Sequence, residues 1–508
     1  MVLLLGLLAT VATVACAQEQ ERPTFVEVHV DVMASNAADD NPGTRRQPLA
    51  TIMEALRRAD ANRLNGRATK VVVHPGTYRE SLVGPLRSRE GEPIVIEAAV
   101  PGEAIVSGSD VWTDWNCQGS LCTHAWPFEW GLAEVPWPQV ELDDIGRRRE
   151  MVFVNGEFFE QRLDRFDLLL EEGTFHVDEQ SAQLTVHLPR DVDPATAVFE
   201  VSVRDQLLRL QGTHDLTLRG LVFEHGNPSV PNTAVRIVDQ NNVLIEDVIV
   251  RWNNWGGIWF RGNDIVVRNS ISTRNGANGF AAFDVNRILL EGNESSFNSW
   301  RAYAGGLIGW SVGEKFLMTR DVTIRDHVSE YNLARGMWFD YDNENVLIER
   351  LRSCNNVNDG MFIEASQGPF EVIDSTFCHN ERAGIRTSSS NNVTLQGNLF
   401  DRNRDGQLAI SGDLDVEFES KDGTWLVLDN RSWTVVDNTM IGAEGIYLIT
   451  TSLPRDNWRS LMASSWFEGN EYVHPEREAF SIYRGTLVDL EGWQRATLQD
   501  TTSTFRQE

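Results

Sequence analysis

The chain has 508 residues, of which 41% are apolar, so it has enough material for a large folded core and is not intrinsically disordered. Its 45 Lys and Arg residues stand against 74 Asp and Glu residues, which gives a formal net charge of −29. A charge of this sign repels phosphate backbones and anionic lipids. The composition therefore predicts no nucleic-acid partner and disfavours strongly polyanionic substrates.

The first 17 residues have the pattern of a signal peptide. Residues 2–14 form an apolar run that is too short to cross a bilayer, and Ala15-Cys16-Ala17 follows with the small residues of a cleavage site. An alternative interpretation is a lipid anchor attached at Cys16. Either way the sequence predicts an exported protein, secreted or periplasmic, and no later stretch approaches the ~20 apolar residues of a membrane span.

Changes in sequence pattern divide the rest of the chain into four predicted segments. Apolar residues recur at helical spacing over residues 48–65, which predicts an amphipathic helix capping a first strand at 70–74. Five tryptophans and hairpin-like runs between 111 and 200 indicate an inserted β subdomain. The predicted segments are a helix cap with the first coils (18–110), the inserted subdomain (111–200), a solenoid core carrying the active-site face (201–450) and a C-terminal cap (451–508).

A repeat of 22 to 24 residues runs through the centre of the chain. Seven segments open on an apolar residue, and an asparagine stands ten residues after each opening. The openings are Val243, Ile265, Ile288, Val322, Val346, Phe370 and Val393, and the asparagines are Asn253, Asn275, Asn298, Asn332, Asn356, Asn380 and Asn403. One interval, from Ile288 to Val322, is longer at 34 residues.

This period predicts an all-β fold, a right-handed parallel β-helix in which each repeat forms one coil. Leucine-rich repeats have a similar length, but the leucines that they require at fixed offsets are absent. The asparagines are expected to stack inside one turn of the coil, where each buried amide must bond to the coils above and below it. Their predicted role is structural.

The register of the repeat brings two acids together. A glycine stands fourteen residues after five of the openings, and the second and fourth residues after it are expected to face outward, because side chains alternate along a strand. Asp340 and Glu364 both take the fourth position, 24 residues apart in consecutive coils. Stacked strands lie ~4.8 Å apart, so the carboxyl groups are expected roughly 5 Å apart, the spacing of a retaining glycosidase. The alternative is two solvated acids that the repeat aligns by coincidence.

Aromatic residues surround the predicted acid pair. Several take outward second positions, and the long interval adds about ten residues that are predicted to form a loop walling the same face. Aromatic rings stack on the C–H faces of sugars while hydroxyl groups bind charged side chains, although some of these rings could instead belong to the core. The residues predicted to bind substrate are Trp259, Trp300, Arg301, Tyr303, Trp310, Trp338, Phe362 and Arg386.

The four cysteines after Cys16 form an even set that suits disulfides in an oxidising compartment. Cys117 and Cys122 are placed to close a short loop. Cys354 and Cys378 are 24 residues apart and share a register in stacked coils, which brings their Cα atoms within bonding range. Two disulfides are therefore predicted.

No metal or cofactor is predicted. The ten histidines show no pair at metal-ligand spacing, and the cysteines do not form a zinc pattern. The alternating acids Asp413, Asp415, Glu417 and Glu419 are read as a solvated face, with a calcium site as the alternative.

Two motifs around the acid pair resemble the β-helix β-xylosidases, a family of retaining glycoside hydrolases. They are GMWFD, ending at Asp340, and EASQGPF, beginning at Glu364, and the close match covers roughly residues 297–380. The resemblance implies that Asp340 is the nucleophile and Glu364 the acid/base. Ser366 stands where that family has Asn, and Gln367 where it has His.

The sequence therefore predicts an exported glycoside hydrolase that cleaves a plant- or algal-type oligo- or polysaccharide by a retaining double displacement. Two other functions fit the same fold. A polysaccharide lyase or epimerase would neutralise a uronate carboxylate with cations such as Arg261, Arg386, Arg301 and Lys315, then abstract a proton with a base. A non-catalytic carbohydrate-binding β-helix would use the tryptophans and would not depend on the acids.

Overall fold

A computed structural model describes residues 24–84, 86, 91–412 and 416–508. The predicted signal peptide, the alternative anchor at Cys16 and the acids Asp413 and Asp415 lie outside the described residues. Across the described part of the chain, none of the helices has the length and apolar character needed to cross a membrane.

The chain winds into a parallel β-helix whose coils contribute strands to three faces, which we call the front, second and third faces. The front face consists of Leu82–Val83, Leu208–Gln211, Thr233–Glu246, Gly256–Arg268, Phe280–Glu291, Val312–Leu317, Arg335–Phe339, Met361–Glu364, Ile385–Ser388, Leu408–Ser411, Ile449–Thr451, Phe480–Ile482 and the antiparallel Thr486–Val488.

Three of these strands are long enough to turn the corner into the second face, namely Thr233–Glu246, Gly256–Arg268 and Phe280–Glu291. The other second-face strands are Val26–Val30, Thr69–Val73, Ile94–Ala98, His214–Arg219, Arg320–Arg325, Glu344–Glu349, Phe370–Ile373, Val393–Gln396, Trp433–Val436 and Trp466–Glu468.

The third face holds thirteen short strands in one parallel sheet. They are Gly76–Tyr78, Ala104–Ser107, Leu221–Glu224, Ile249–Arg251, Ile271–Thr273, Glu294–Ser296, Val328–Glu330, Arg352–Cys354, Thr376–Cys378, Leu399–Asp401, Thr439–Ile441, Glu471–Val473 and Thr504–Arg506. Inward side chains of all three faces form one apolar core along the solenoid.

A separate eight-stranded sheet interrupts the solenoid and packs around its own apolar cluster. Its strands are Ser109–Trp112, Asn116–Gln118, Leu121–Ala125, Val152–Val154, Glu157–Gln161, Thr174–Asp178, Gln183–His187 and Phe199–Ser202. The remaining elements are helices Ile52–Leu64, Asp144–Arg147, Arg165–Leu170, Trp300–Ala304, Arg455–Ser464 and Leu490–Thr497, the 3-10 turn Tyr483–Gly485, and the hairpin Val416–Glu419 with Trp425–Leu428.

The predicted asparagine ladder is confirmed. All seven asparagines are buried, and each side-chain oxygen accepts hydrogen bonds from the coil before it. The Asn380 Oδ1 atom, for example, accepts from the backbone N–H and the side-chain amide of Asn356, both at 3.0 Å. Gln407 ends the ladder by offering its Oε1 atom to Asn403.

Where a glycine stands beside the ladder, close packing requires it. A Cβ atom on Gly360 would lie 2.7 Å from the Asn380 amide nitrogen and 2.7 Å from the Gly384 carbonyl oxygen. We expect Gly360→Ala to lower the free energy of unfolding by about 1–3 kcal/mol, because the ladder would have to move. Gly309→Ala is the matched control, since a Cβ atom there has open space. Equal urea midpoints for the two variants would contradict this prediction.

The 34-residue interval contains one regular coil strand that the sequence pattern did not reveal. Gly313 occupies the ladder-side glycine position, where a Cβ atom would lie 2.6 Å from the Asn332 amide nitrogen, and strand Val312–Leu317 takes its place in the front face. Its first inward residue is Glu314, which is fully buried and bonds to His327 at 2.6 Å. The extra residues therefore precede the strand as an insertion over the front face, and Lys315 faces outward in register with Trp338.

Both ends of the solenoid differ from prediction. Strand Val26–Val30 precedes the capping helix and pairs in parallel with Thr69–Val73, so the strand predicted at 70–74 is not the first. Thr51 caps the helix by accepting a hydrogen bond from the Glu54 N–H. At the other end, the segment predicted only as a cap also contributes coil strands, Glu471–Val473 and Thr504–Arg506.

Both predicted disulfides are confirmed. Cys117 and Cys122 join neighbouring antiparallel strands of the separate sheet. Cys354 and Cys378 are register partners on the third face, with their Cα atoms 4.6 Å apart. The second disulfide therefore ties together the two coils that carry Asp340 and Glu364.

Candidate active site

Asp340 and Glu364 lie on neighbouring coils of the front face. Strands Arg335–Phe339 and Met361–Glu364 pair with Phe339 opposite Ile363, which places the next residues, Asp340 and Glu364, side by side. The separation of the coils is that of paired strands, about 4.8 Å. The two carboxyl groups nevertheless have different surroundings.

Asp340 forms an ion pair with a lysine. The Lys315 Nζ atom lies 2.8 Å from the Asp340 Oδ2 atom, and 24% of the Asp340 side chain is exposed. Lys315 comes from the preceding coil, and its ammonium group also lies 3.6 Å from the centre of the Trp338 ring. The ammonium group neutralises and orients the carboxylate without removing its access to solvent.

Glu364 has the opposite environment. Burial raises the pKa of its carboxyl group above the ordinary range, and the neighbouring Asp340 charge raises it further. The Arg335 and Lys315 charges act in the other direction, as does the Trp338 indole N–H, which donates to the Glu364 Oε2 atom at 3.1 Å. The site thus pairs a carboxylate that contacts an ammonium group with a carboxyl group whose pKa is raised.

Ser366 fixes the backbone of both acids. Its hydroxyl group lies 3.1 Å from the Asp340 carbonyl oxygen and 2.9 Å from that of Glu364. The same oxygen accepts the Asn343 backbone N–H at 3.1 Å. A serine at this position therefore fulfils a ladder role within the coil turn.

Replacing Trp338 by phenylalanine is expected to raise the pKa of Glu364 further, because the variant loses a hydrogen bond that stabilises the carboxylate form. The titration can be followed by ¹³C NMR of protein labelled at its glutamate carboxyl carbons, with the Glu364 signal assigned from Glu364→Gln. Trp259→Phe, a matched change farther along the same face, should leave that signal in place. An unchanged or lowered pKa in Trp338→Phe would contradict the assigned hydrogen bond.

A cavity of about 210 Å³ opens beside Asp340. Asp340 and Lys315 are its charged wall, and the rest of the lining is largely apolar and aromatic. Trp310 from the insertion lines it as predicted, together with two rings that the sequence did not single out, Trp137 and Trp255. We call this space the acid cavity.

Trp338 and Phe362 face outward from the solenoid but are covered. They form a small cluster with Val312, and only 5% of Trp338 is exposed. The Arg335 guanidinium group lies over both rings, at 4.9 Å and 4.8 Å from their centres. The structure thus places these rings under the insertion, where Trp338 positions Glu364 and offers no open stacking surface.

The structure contradicts the prediction that Trp300, Arg301 and Tyr303 wall the same face as Asp340. These three residues line a different cavity of about 600 Å³, which we call the side cavity and which shares no lining residue with the acid cavity. Helix Trp300–Ala304 separates the two, since its Ala302 faces the acid cavity.

Arg301 in particular is structural. It is 1% exposed, and its guanidinium group bonds to Gln161 Oε1 at 2.9 Å, Asn254 Oδ1 at 3.0 Å and the Glu150 carbonyl oxygen at 2.8 Å. These bonds join the separate sheet to the solenoid. Arg301 therefore does not wall the face of Asp340, where it was predicted to bind substrate, because most of its donors bond to protein groups.

The two remaining predicted binding residues lie on the front face but do not line the acid cavity, although the Trp259 ring contacts Phe283, which does. Trp259 is three strands before Trp338 in the register and packs under the Arg236 guanidinium group at 4.4 Å. Arg386 follows Phe362 in the register and forms ion pairs with Asp359 at 2.9 Å and Asp405 at 3.2 Å.

The sequence placed Lys315 in the insertion and named it only as a cation of the alternative lyase or epimerase, without predicting its ion pair with Asp340. The displaced glycine at position 313 would have located it, but the buried Glu314 interrupts the apolar–x–apolar pattern that identifies a front-face strand. Within the described ranges, no cluster of three or more His, Cys, Asp or Glu side chains is arranged to hold a metal ion.

Comparison with known proteins identifies the fold. A family model described as a right handed beta helix region matches residues 233–400. The structure is similar to that of XylC in complex with xylose, at 15% identity over 95% of this chain and 86% of that chain, with a TM-score of 0.69. A protein described as a glycoside hydrolase is similar at 13% identity over 84% and 94% of the two chains, with a TM-score of 0.52.

The A-module of the Azotobacter vinelandii mannuronan C-5 epimerase AlgE4 is also similar, at 14% identity over 94% and 100% of the chains, with a TM-score of 0.48. No curated protein matches the chain by sequence. At these identities the likeness shows the fold alone. The chain is a right-handed parallel β-helix.

Proposed function

We propose that this right-handed β-helix is a retaining glycoside hydrolase with Asp340 as the nucleophile and Glu364 as the acid/base. The observation that carries the proposal is the contrast between two adjacent carboxyl groups: the Lys315 ammonium group pairs with one, and burial raises the pKa of the other. Two acids in such contrasting environments can divide the roles of nucleophile and acid.

The reaction would proceed in two balanced steps. An Asp340 oxygen forms a bond to the anomeric carbon while the glycosidic C–O bond breaks, and Glu364 gives its proton to the leaving oxygen. Glu364 then removes a proton from water, and the resulting attack on the same carbon releases Asp340. Carboxyl groups that project side by side from paired strands about 4.8 Å apart would have the short separation that favours this route over single-step inversion.

The acid cavity supports a substrate with a terminal sugar. Its volume of about 210 Å³ is below the ~300 Å³ of ordinary ligand pockets, which suits one ring better than a continuous chain. Trp137 and Trp310 offer apolar surface for the sugar's C–H face. The similar structure that contains xylose makes a xyloside the first substrate to test.

Export is part of the proposal, because two disulfides suit an oxidising compartment.

A panel of aryl glycosides tests the proposal. Wild-type protein should release the aryl group from at least one sugar, and ¹H NMR should show the first product with the anomeric configuration of the substrate. Asp340→Asn should be inactive, whereas Glu371→Gln, which changes an exposed acid on the second face, should retain full activity. Inversion of the product, or an unsaturated product absorbing in the ultraviolet, would overturn the retaining hydrolase in favour of an inverting enzyme or a lyase.

A further inference from the structure

The side cavity contains an unusual column of large side chains. Trp252, Arg274, Phe297 and Tyr331 each directly follow a third-face strand, in four successive coils. The Phe297 and Tyr331 rings stack with centres 5.2 Å apart and planes within 5°. They therefore form an offset stack along the wall of the cavity, which leaves part of each ring exposed.

This column has a strained backbone. Among the Phe, Trp and Tyr residues of the described chain, Trp252, Phe297 and Tyr331 are the three with positive φ, at 52°, 56° and 55°. Bulky residues seldom adopt this conformation, which asparagine tolerates well. The next coil indeed places Asn355 at the equivalent position, with φ of 58°. The fold itself is thus satisfied by asparagine, and the rings need another explanation.

Core packing does not explain the rings. Phe297 is 43% exposed and Tyr331 47% exposed, so neither gains the full benefit of burial. Strained conformations cluster at binding and catalytic sites, where a side chain must be presented in a particular direction. The exposed faces of Phe297 and Tyr331 are directed into a cavity large enough for an extended ligand.

The polar groups around the column indicate the class of ligand. The Arg274 guanidinium group lies 4.9 Å from the Phe297 ring centre and 5.7 Å from that of Trp252, and it forms no ion pair within the described residues. Tyr303 and the Arg162–Glu160 ion pair also line the cavity. Exposed aromatic rings bordered by hydrogen-bonding groups fit pyranose rings, whose C–H faces are apolar and whose edges carry hydroxyl groups.

We infer that the side cavity is a second glycan-binding site, in which the exposed parts of the Phe297 and Tyr331 rings pack against sugar rings and Arg274 bonds to a hydroxyl or carboxylate group of the same chain. The site lies outside the acid cavity and does not require the acids to be catalytic. It would hold a polysaccharide chain on the protein independently of bond cleavage.

The test is native electrophoresis in gels that contain a soluble polysaccharide. Xylan and mixed-linkage β-glucan are the neutral probes, and alginate and polygalacturonate the acidic ones. All proteins carry Asp340→Asn, so binding is read without turnover and failure of the proposed hydrolase would leave the result unaffected. At least one polymer should retard the parent protein. Phe297→Asn with Tyr331→Asn should weaken that retardation about tenfold or more in apparent Kd.

Asparagine is the chosen replacement because it removes each ring while suiting the positive φ, so the thermal midpoint should not fall. Trp466→Thr is the control, because it removes an exposed ring from the second face. The register partner of Trp466 is Thr434, so threonine already occurs at this position in the neighbouring coil. This variant should be retarded as strongly as the parent. Loss of binding to acidic polymers alone in Arg274→Gln would assign a carboxylate to that guanidinium group. Equal retardation of the double variant and its parent, or no retardation by any of the four polymers, would overturn the inference.

Discussion

Asp340→Ala is expected to lower the hydrolysis of aryl glycosides by about 10⁴-fold or more, because the variant lacks the atom that forms the covalent intermediate. Lys315 would remain as a cation beside an empty space, and that space can admit a small anion. Azide or formate should therefore restore turnover. With azide, the glycosyl product should have the inverted configuration, since the anion attacks from the side that Asp340 has vacated.

Asp340→Asn provides the comparison for this rescue. The amide fills the same volume as the carboxylate and leaves no room for azide, so this variant should stay inactive at every azide concentration. Asp340→Ala that keeps more than a tenth of wild-type activity would show that Asp340 is not the nucleophile. Rescue that yields a product of retained configuration would assign that role to another group.

Most of the solenoid could be predicted because its determinants are local and repeated. An asparagine every coil, with a glycine where the next coil approaches, is readable without knowledge of distant contacts. The last coils escaped prediction because insertions stretch the period: Asn438 and Asn470, which bond to each other, are 32 residues apart, with helix Arg455–Ser464 between them. The sequence period no longer identifies a coil into which a helix is inserted, although the strands of that coil still pair with their neighbours.

The acid pair could be predicted for the same reason, since Asp340 and Glu364 hold one position in two regular coils. Their different surroundings could not, because Lys315 belongs to the coil whose pattern the insertion and Glu314 disguise. Arg301 was misassigned because its partners Gln161 and Glu150 lie more than a hundred residues away in the separate sheet. No spacing in the sequence indicates that such a contact will occupy an arginine.

Glu364→Gln is expected to have an effect that depends on the leaving group. Without a proton donor, cleavage of an alkyl glycoside or an oligosaccharide should fall by about 10²–10⁴-fold, because the leaving oxygen departs as an alkoxide. A dinitrophenyl glycoside needs no such donor, so its first step should survive and an initial burst of phenolate should appear. The second step then lacks its base, and the covalent intermediate should accumulate.

Azide should react with that intermediate on the face opposite Asp340. The product is then a glycosyl azide of retained configuration, the reverse of the outcome in Asp340→Ala.

The pH profile supplies an independent check. Burial and the Asp340 charge raise the pKa of Glu364, and the acid acts only when protonated, so wild-type kcat/KM should fall as the pH rises through that pKa. Glu364→Gln should lose this alkaline limb. If the limb persists, or if azide gives the same stereochemistry in both variants, the two carboxyl groups do not divide the work as nucleophile and acid.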